Sequence, residues 1–123
     1  MKKKAGSSGS IALQTRLRIT LKKKIAFGPG KAELLQLVDE TGSIGKAAAR
    51  MKMSYMRAWT LVQTMNRCFK KPLILATHGG EGGGGAQLTK TGRAVLARYR
   101  EMENACLRVT AANWRQLRRL LRD

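Results

Sequence analysis

The stretch "SIGKAAARMKMSYMRAWTLVQTMNRCF", residues 43–69, leaves the chain little choice of shape. Ser43 is an N-cap candidate, and residues 44–51 form a short helix around Ala47, Ala48 and Ala49. Lys52 and Met53 are too little chain for anything but a tight turn, and Ser54 can then cap again. A longer helix follows over residues 55–69, with Tyr55, Ala58, Val62, Met65 and Phe69 on one apolar stripe that Trp59 and Leu61 broaden. Three small residues let the first helix lie close against the second. Two capped helices around so short a turn spell a helix-turn-helix, whose second helix can project its polar N-terminal face into a major groove wide enough to admit it. That face carries Ser54, Met56, Arg57 and Thr60.

The flanks extend this reading. Leu13, Thr15, Leu17, Ile19 and Leu21 alternate with Gln14, Arg16, Arg18, Thr20 and Lys22, the period of a half-buried strand with one apolar and one basic face. Gly28-Pro29-Gly30 opens a helix carrying Leu34, Leu35, Leu37 and Val38, which stops near Gly42. Pro72 ends the long helix of the central motif. Residues 73–76 and 86–88 then read as two strands of a hairpin whose tip is the run "HGGEGGGG". That tip is not a phosphate-binding loop of the nucleotide-hydrolase type, because no Gly-Lys-Ser/Thr follows it and the chain returns as a strand. A dinucleotide fingerprint fails for want of strand–helix context. A three-helix core followed by a hairpin is the winged variant, and glycine at the wing tip lets backbone N–H groups approach phosphate. Thr89 caps a last helix that could run nearly to Asp123.

The fold class expected is therefore mainly α with a small β-hairpin, a winged helix-turn-helix with a long C-terminal dimerisation helix. Residues 1–10 would be a flexible basic arm, 11–92 the DNA-binding domain and 93–123 the dimerisation helix. The seam of that helix is Tyr99, Met102, Cys106, Val109, Asn113, Leu117 and Leu120, spaced by three or four, with Asn113 able to fix register in a homodimer; the alternative for the part before Val109 is that it covers the first helix and the N-terminal strand.

Charge points the same way. The 25 Lys and Arg stand against 7 Asp and Glu, a net charge of +18 and a pI near 11.2. Such an excess repels itself in a compact state and fits a polyanionic partner, nucleic acid before membrane, which for a helix-turn-helix is double-stranded DNA. Cys68, Cys106 and the single His78 give neither a disulfide framework nor zinc spacing, so no metal or cofactor is expected, and the setting is cytoplasmic. No apolar run reaches membrane-spanning length, so no membrane partner is expected. No paired carboxylates or nucleophile–base set suggests an enzyme. The expected DNA contacts are Arg57 and Ser54 in the major groove and Lys46, Lys52 and Lys90 on phosphates. Tyr55, Met56 and Thr60 share the recognition helix, Ser43 presents a helix N-terminus, and His78, Gly79, Gly80 and Gly83 belong to the wing. The alternative is a sequence-tolerant architectural DNA- or RNA-binding protein held by charge alone.

The segments "DETGSIGKAAARMKMSYMRAWTLVQTMNRCF" and "GGEGGGGAQLTKTGRAVLARY" resemble the N-terminal DNA-binding domain of ModE-type, molybdate-responsive transcription regulators, over about residues 13–100. The resemblance implies a winged-helix dimer on a palindromic operator, with Ser54, Tyr55 and Arg57 on the recognition helix. Two residues depart from it. Glu81 stands in the wing where such proteins often carry Lys, and Lys52 stands where many helix-turn-helix turns place Gly. Such regulators sense molybdate in a further C-terminal domain. With the chain ending at Asp123, the expectation is operator binding indifferent to micromolar molybdate, with control by abundance or by a separate effector-sensing protein.

Overall fold

A computed structural model describes residues 11–77 and 85–122. The expected arm 1–10 and the wing-tip residues His78, Gly79, Gly80, Glu81 and Gly83 lie outside the described residues. The elements in order are β1 (Ile19–Leu21), β2 (Lys24–Phe27), α1 (Pro29–Thr41), α2 (Ile44–Arg50), α3 (Tyr55–Cys68), β3 (Ile74–Ala76), β4 (Ala86–Leu88) and α4 (Lys90–Arg118). They make a winged helix-turn-helix with a long last helix, as expected. By contacts the chain falls into two compact units, Arg16–Arg100 and, separately, residues 11–15 with 101–122.

The first strand differs from the sequence reading. Residues 11–18 adopt no strand, and β1 begins only at Ile19, where β2 supplies an antiparallel partner. Alternation alone does not make a strand; the backbone N–H and C=O groups need a ladder to join. That partner went unseen because the turn between β1 and β2 is Lys22-Lys23, with φ of 51° and 70°. Two-residue hairpins of this handedness favour Asn-Gly, and a pair of lysines does not announce one. Ile19 and Leu21 of the expected apolar face are exposed, as is Ile25 across the hairpin, while Leu17 packs against the core.

The core of the larger unit joins β2, α1, α2, α3, the wing strands and the start of α4. Leu34, Leu35 and Val38 of α1 pack with Ala47, Ala58, Val62, Met65 and Leu73. Phe27 sits edge-on to Tyr99 at 5.1 Å and to Phe69 at 6.1 Å. Lys31 Nζ donates to the Ile25 carbonyl at 2.6 Å, holding α1 to β2. Burial lowers the Lys31 pKa below its ordinary value, with Cys68 opposing the shift. Asn66 organises the passage into the wing: its Oδ1 accepts from the backbone N–H of Leu73 (2.8 Å) and Ile74 (3.2 Å), and its Nδ2 donates to the Ile74 carbonyl (3.1 Å). Gly92 is obligatory there, because a Cβ would run into the Leu73 carbonyl oxygen.

Candidate nucleic-acid interface

The helix-turn-helix is built from local hydrogen bonds that its sequence announces. Ser43 Oγ accepts from the Lys46 N–H at 3.0 Å, and Ser54 Oγ accepts from the Arg57 N–H at 3.1 Å, so both serines cap their helices. Between the helices the Met53 N–H returns to the Ala48 carbonyl at 3.0 Å. Lys52 takes the left-handed conformation with φ of 57°, which costs a non-glycine residue about 1 kcal/mol. Ala47 and Ala48 are buried in the helix contact, as their size allows; Ala49, expected with them, is exposed because it falls on the far side of this short helix.

On α3 the buried residues are Ala58, Val62 and Met65. At about 3.6 residues per turn, Met56, Thr60 and Arg67 fall on the opposite side, with Gln63 beside them and Arg57 on one flank. Met56, Arg57, Thr60 and Arg67 are all exposed. Gln63 and Arg67 were missed from the sequence, although their spacing of seven and eleven from Met56 would have placed them on this outward row. Tyr55 departs from the expected core stripe: it is 52% exposed and stacks on the half-buried Trp59, ring centres 6.4 Å apart and planes within 13°. As the first residue of α3 it lies past the edge of the packed surface. Phe69, the other end of that stripe, follows the helix as its C-cap and packs on Phe27.

The wing base is fixed to the same body. Ile74 pairs with Leu88, Leu75 with Gln87 and Ala76 with Ala86. Thr77 closes the described part of the hairpin, its N–H donating to the Gly85 carbonyl (2.8 Å) and its Oγ1 accepting from the Gly85 N–H (3.0 Å). The Ala86 N–H donates to the Gly42 carbonyl at 2.9 Å, so the wing is held to the junction of α1 and α2. Lys90, exposed, opens α4 directly after Thr89, whose Oγ1 donates to the Pro72 carbonyl at 2.7 Å and accepts from the Gly92 N–H at 2.9 Å.

Electrostatically this face is one-sided. Residues 41–80 contain no Asp or Glu but carry Lys46, Arg50, Lys52, Arg57, Arg67, Lys70 and Lys71. Asp39 and Glu40, at the end of α1, pair with Arg93 (2.9 Å) and Arg50 (3.6 Å). Both pairs are solvated and contribute little to stability. Lys46, Lys52 and Lys90 are exposed, so nothing buries the cations assigned to phosphates.

The expected dimer seam divides. Tyr99 is core instead: it is 1% exposed, and its hydroxyl donates to the Leu17 carbonyl at 2.7 Å within the same chain. The residues after it stand differently. Met102, Val109 (80% exposed) and Leu117 are open apolar side chains, Asn113 is exposed and Cys106 is half-buried. Leu120, also open, follows the helix end at Arg118 in a turn closed by the Leu120 N–H on the Leu117 carbonyl.

A short α2, a tight turn, a capped α3 with an outward N-terminal face and a hairpin tied beside it define a winged helix-turn-helix domain. The chain also has relatives in sequence. Over 78 residues, 63% of this chain, it is 40% identical to the molybdenum transport protein ModE of Azotobacter vinelandii, matching 29% of that protein. It is 41% identical over 77 residues, again 63% of the chain, to the molybdenum-pterin-binding protein MopB of Rhodobacter capsulatus, matching 28% of it. The DNA-binding transcriptional dual regulator ModE of Escherichia coli K12 is 34% identical over 89 residues, 71% of this chain and 34% of that one. No family model matches. The domain is ModE-like, and the chain spans about a third of the length of the relatives it matches.

Proposed function

We propose that this chain is a sequence-specific, DNA-binding transcription regulator that acts as a dimer. The observation that carries the reading is the N-terminal face of α3: capped by Ser54, projecting outward from a closed turn, and set in a stretch free of carboxylates. Ser54, Tyr55, Met56, Arg57 and Thr60 enter the major groove, and Arg57 pairs with a guanine edge. Lys46, Lys52 and Lys90, the α2 N-terminus at Ser43 and the wing around His78, Gly79, Gly80 and Gly83 hold the backbone. Two copies meet through the open apolar residues of α4 after Tyr99. Relatives named for molybdenum transport, for molybdenum-pterin binding and for transcriptional regulation support a role in molybdenum-related control.

Selection of bound duplexes from a random pool tests this. The expected product is a palindrome whose half-sites lie about 10 base pairs apart, or a multiple of that. A pool that emerges unenriched would favour the sequence-tolerant binder that a net charge of +18 also suits. We further propose that these residues sense no molybdate themselves, because among the described residues no Lys or Arg side chain is buried to enclose an oxyanion. Micromolar molybdate should leave operator affinity unchanged, and millimolar molybdate should weaken it no more than sulfate at matched ionic strength. A micromolar effect absent with sulfate contradicts that.

A further inference from the structure

Met56 is the most exposed large apolar side chain among the described residues of the Arg16–Arg100 unit, at 66%. It does not stand at a ragged edge. It is the second residue of α3, next to Arg57, on the side opposite Ala58, Val62 and Met65. Water gains nothing from an apolar group there, and the core cannot reach it.

The hydroxyls flanking Met56 are tied to the helix backbone. Thr60 Oγ1 donates its proton to the Met56 carbonyl at 2.9 Å, and Thr64 Oγ1 donates to the Thr60 carbonyl at 3.0 Å. Ser54 Oγ is the cap acceptor for the Arg57 N–H. With its proton committed to the helix, Thr60 offers its methyl group and acceptor lone pairs to the groove. The foremost row of α3 therefore presents an apolar thioether and a neighbouring methyl, with the Arg57 guanidinium as the strong donor beside them.

The floor of a major groove offers one apolar group, the C5 methyl of thymine; every other feature of the base edges is a donor or an acceptor. We infer that Met56 reads a thymine in each half-site through that methyl group, within a base pair or two of the base that Arg57 contacts. The inference rests on the DNA reading proposed above and names what that reading recognises. Removing water from a methyl and a thioether together is favourable, and no hydrogen bond is needed to secure it. Cytosine at that position carries only a hydrogen at C5 and an amino donor at C4, so the thioether loses its apolar partner.

Uracil isolates the effect, because it keeps thymine's hydrogen-bonding groups and lacks only the methyl. With a duplex selected from a random pool, each thymine is replaced singly by uracil and affinity is measured for the 123-residue chain, Met56→Ala and Arg57→Ala. One thymine per half-site should show a loss of about fourfold on replacement, the worth of burying one methyl-sized group. That loss should vanish in Met56→Ala and persist in Arg57→Ala. The exposure of Met56 means that its replacement should leave the thermal unfolding midpoint unchanged. Selected half-sites without a fixed thymine, uracil substitution without effect everywhere, or an undiminished loss in Met56→Ala would each overturn the inference while leaving the DNA reading intact. A pool yielding no preferred sequence would overturn both.

Discussion

At the scale of single residues, the proposed interface separates into groups that would read bases and groups that would hold the backbone. Arg57→Ala should weaken binding to a selected duplex by about 1–3 kcal/mol and relax the preference at one base position per half-site. Lys90→Ala should weaken all duplexes alike and reduce the slope of log affinity against log salt by about one. Titrating both variants over a range of salt checks the division; equal losses on selected and random duplexes for Arg57→Ala would remove its reading role. Lys52 carries a different consequence. With φ at 57°, Lys52→Gly should stabilise the fold by roughly 1 kcal/mol in urea denaturation, and a destabilised variant would show the turn needs the lysine side chain. Both serine caps were legible from sequence because capping is a local bond three residues long. Asn66 was not. Its three bonds reach Leu73 and Ile74, seven and eight residues on, and nothing in "QTMNRCF" marks one amide as the anchor of a strand.

At the scale of elements, α1, α2, α3, the wing strands and α4 were readable because each carries its own period and its own stop: Pro29 and Gly42 for α1, Ser54 and Pro72 around α3, Thr89 before α4. The β1–β2 hairpin was hidden, since its two-residue turn uses lysines at positive φ and Ile19, Leu21 and Ile25 face outward. Tyr99 shows the limit of periodicity in a long helix. One stripe of three-and-four spacing served two purposes, core up to Tyr99 and open surface beyond, and only tertiary contacts mark the change. Because Arg16–Arg100 is a compact unit by itself, truncation after Arg108 should leave a folded monomer that binds a half-site weakly. Sedimentation of the truncated chain checks this; a persistent dimer would move the interface elsewhere, with the open face of β1 and β2 the first place to look.

At the scale of the whole molecule, charge and shape make competing demands on the same surface. A chain of +18 should bind any duplex at low salt through counterion release, so affinity alone would say little about what it does. In the proposed reading discrimination comes from the outward row of α3, and dimerisation would multiply it by engaging two half-sites at once. The most direct measurement is therefore a competition at physiological salt. The protein is bound to a labelled duplex selected from a random pool, and unlabelled duplex of the same or of scrambled sequence is titrated in. A regulator that reads bases should require at least about a thousandfold more scrambled than selected duplex to release half the label. Release of the label by both competitors at equal concentration would contradict sequence-specific recognition and leave a protein held to DNA by charge alone.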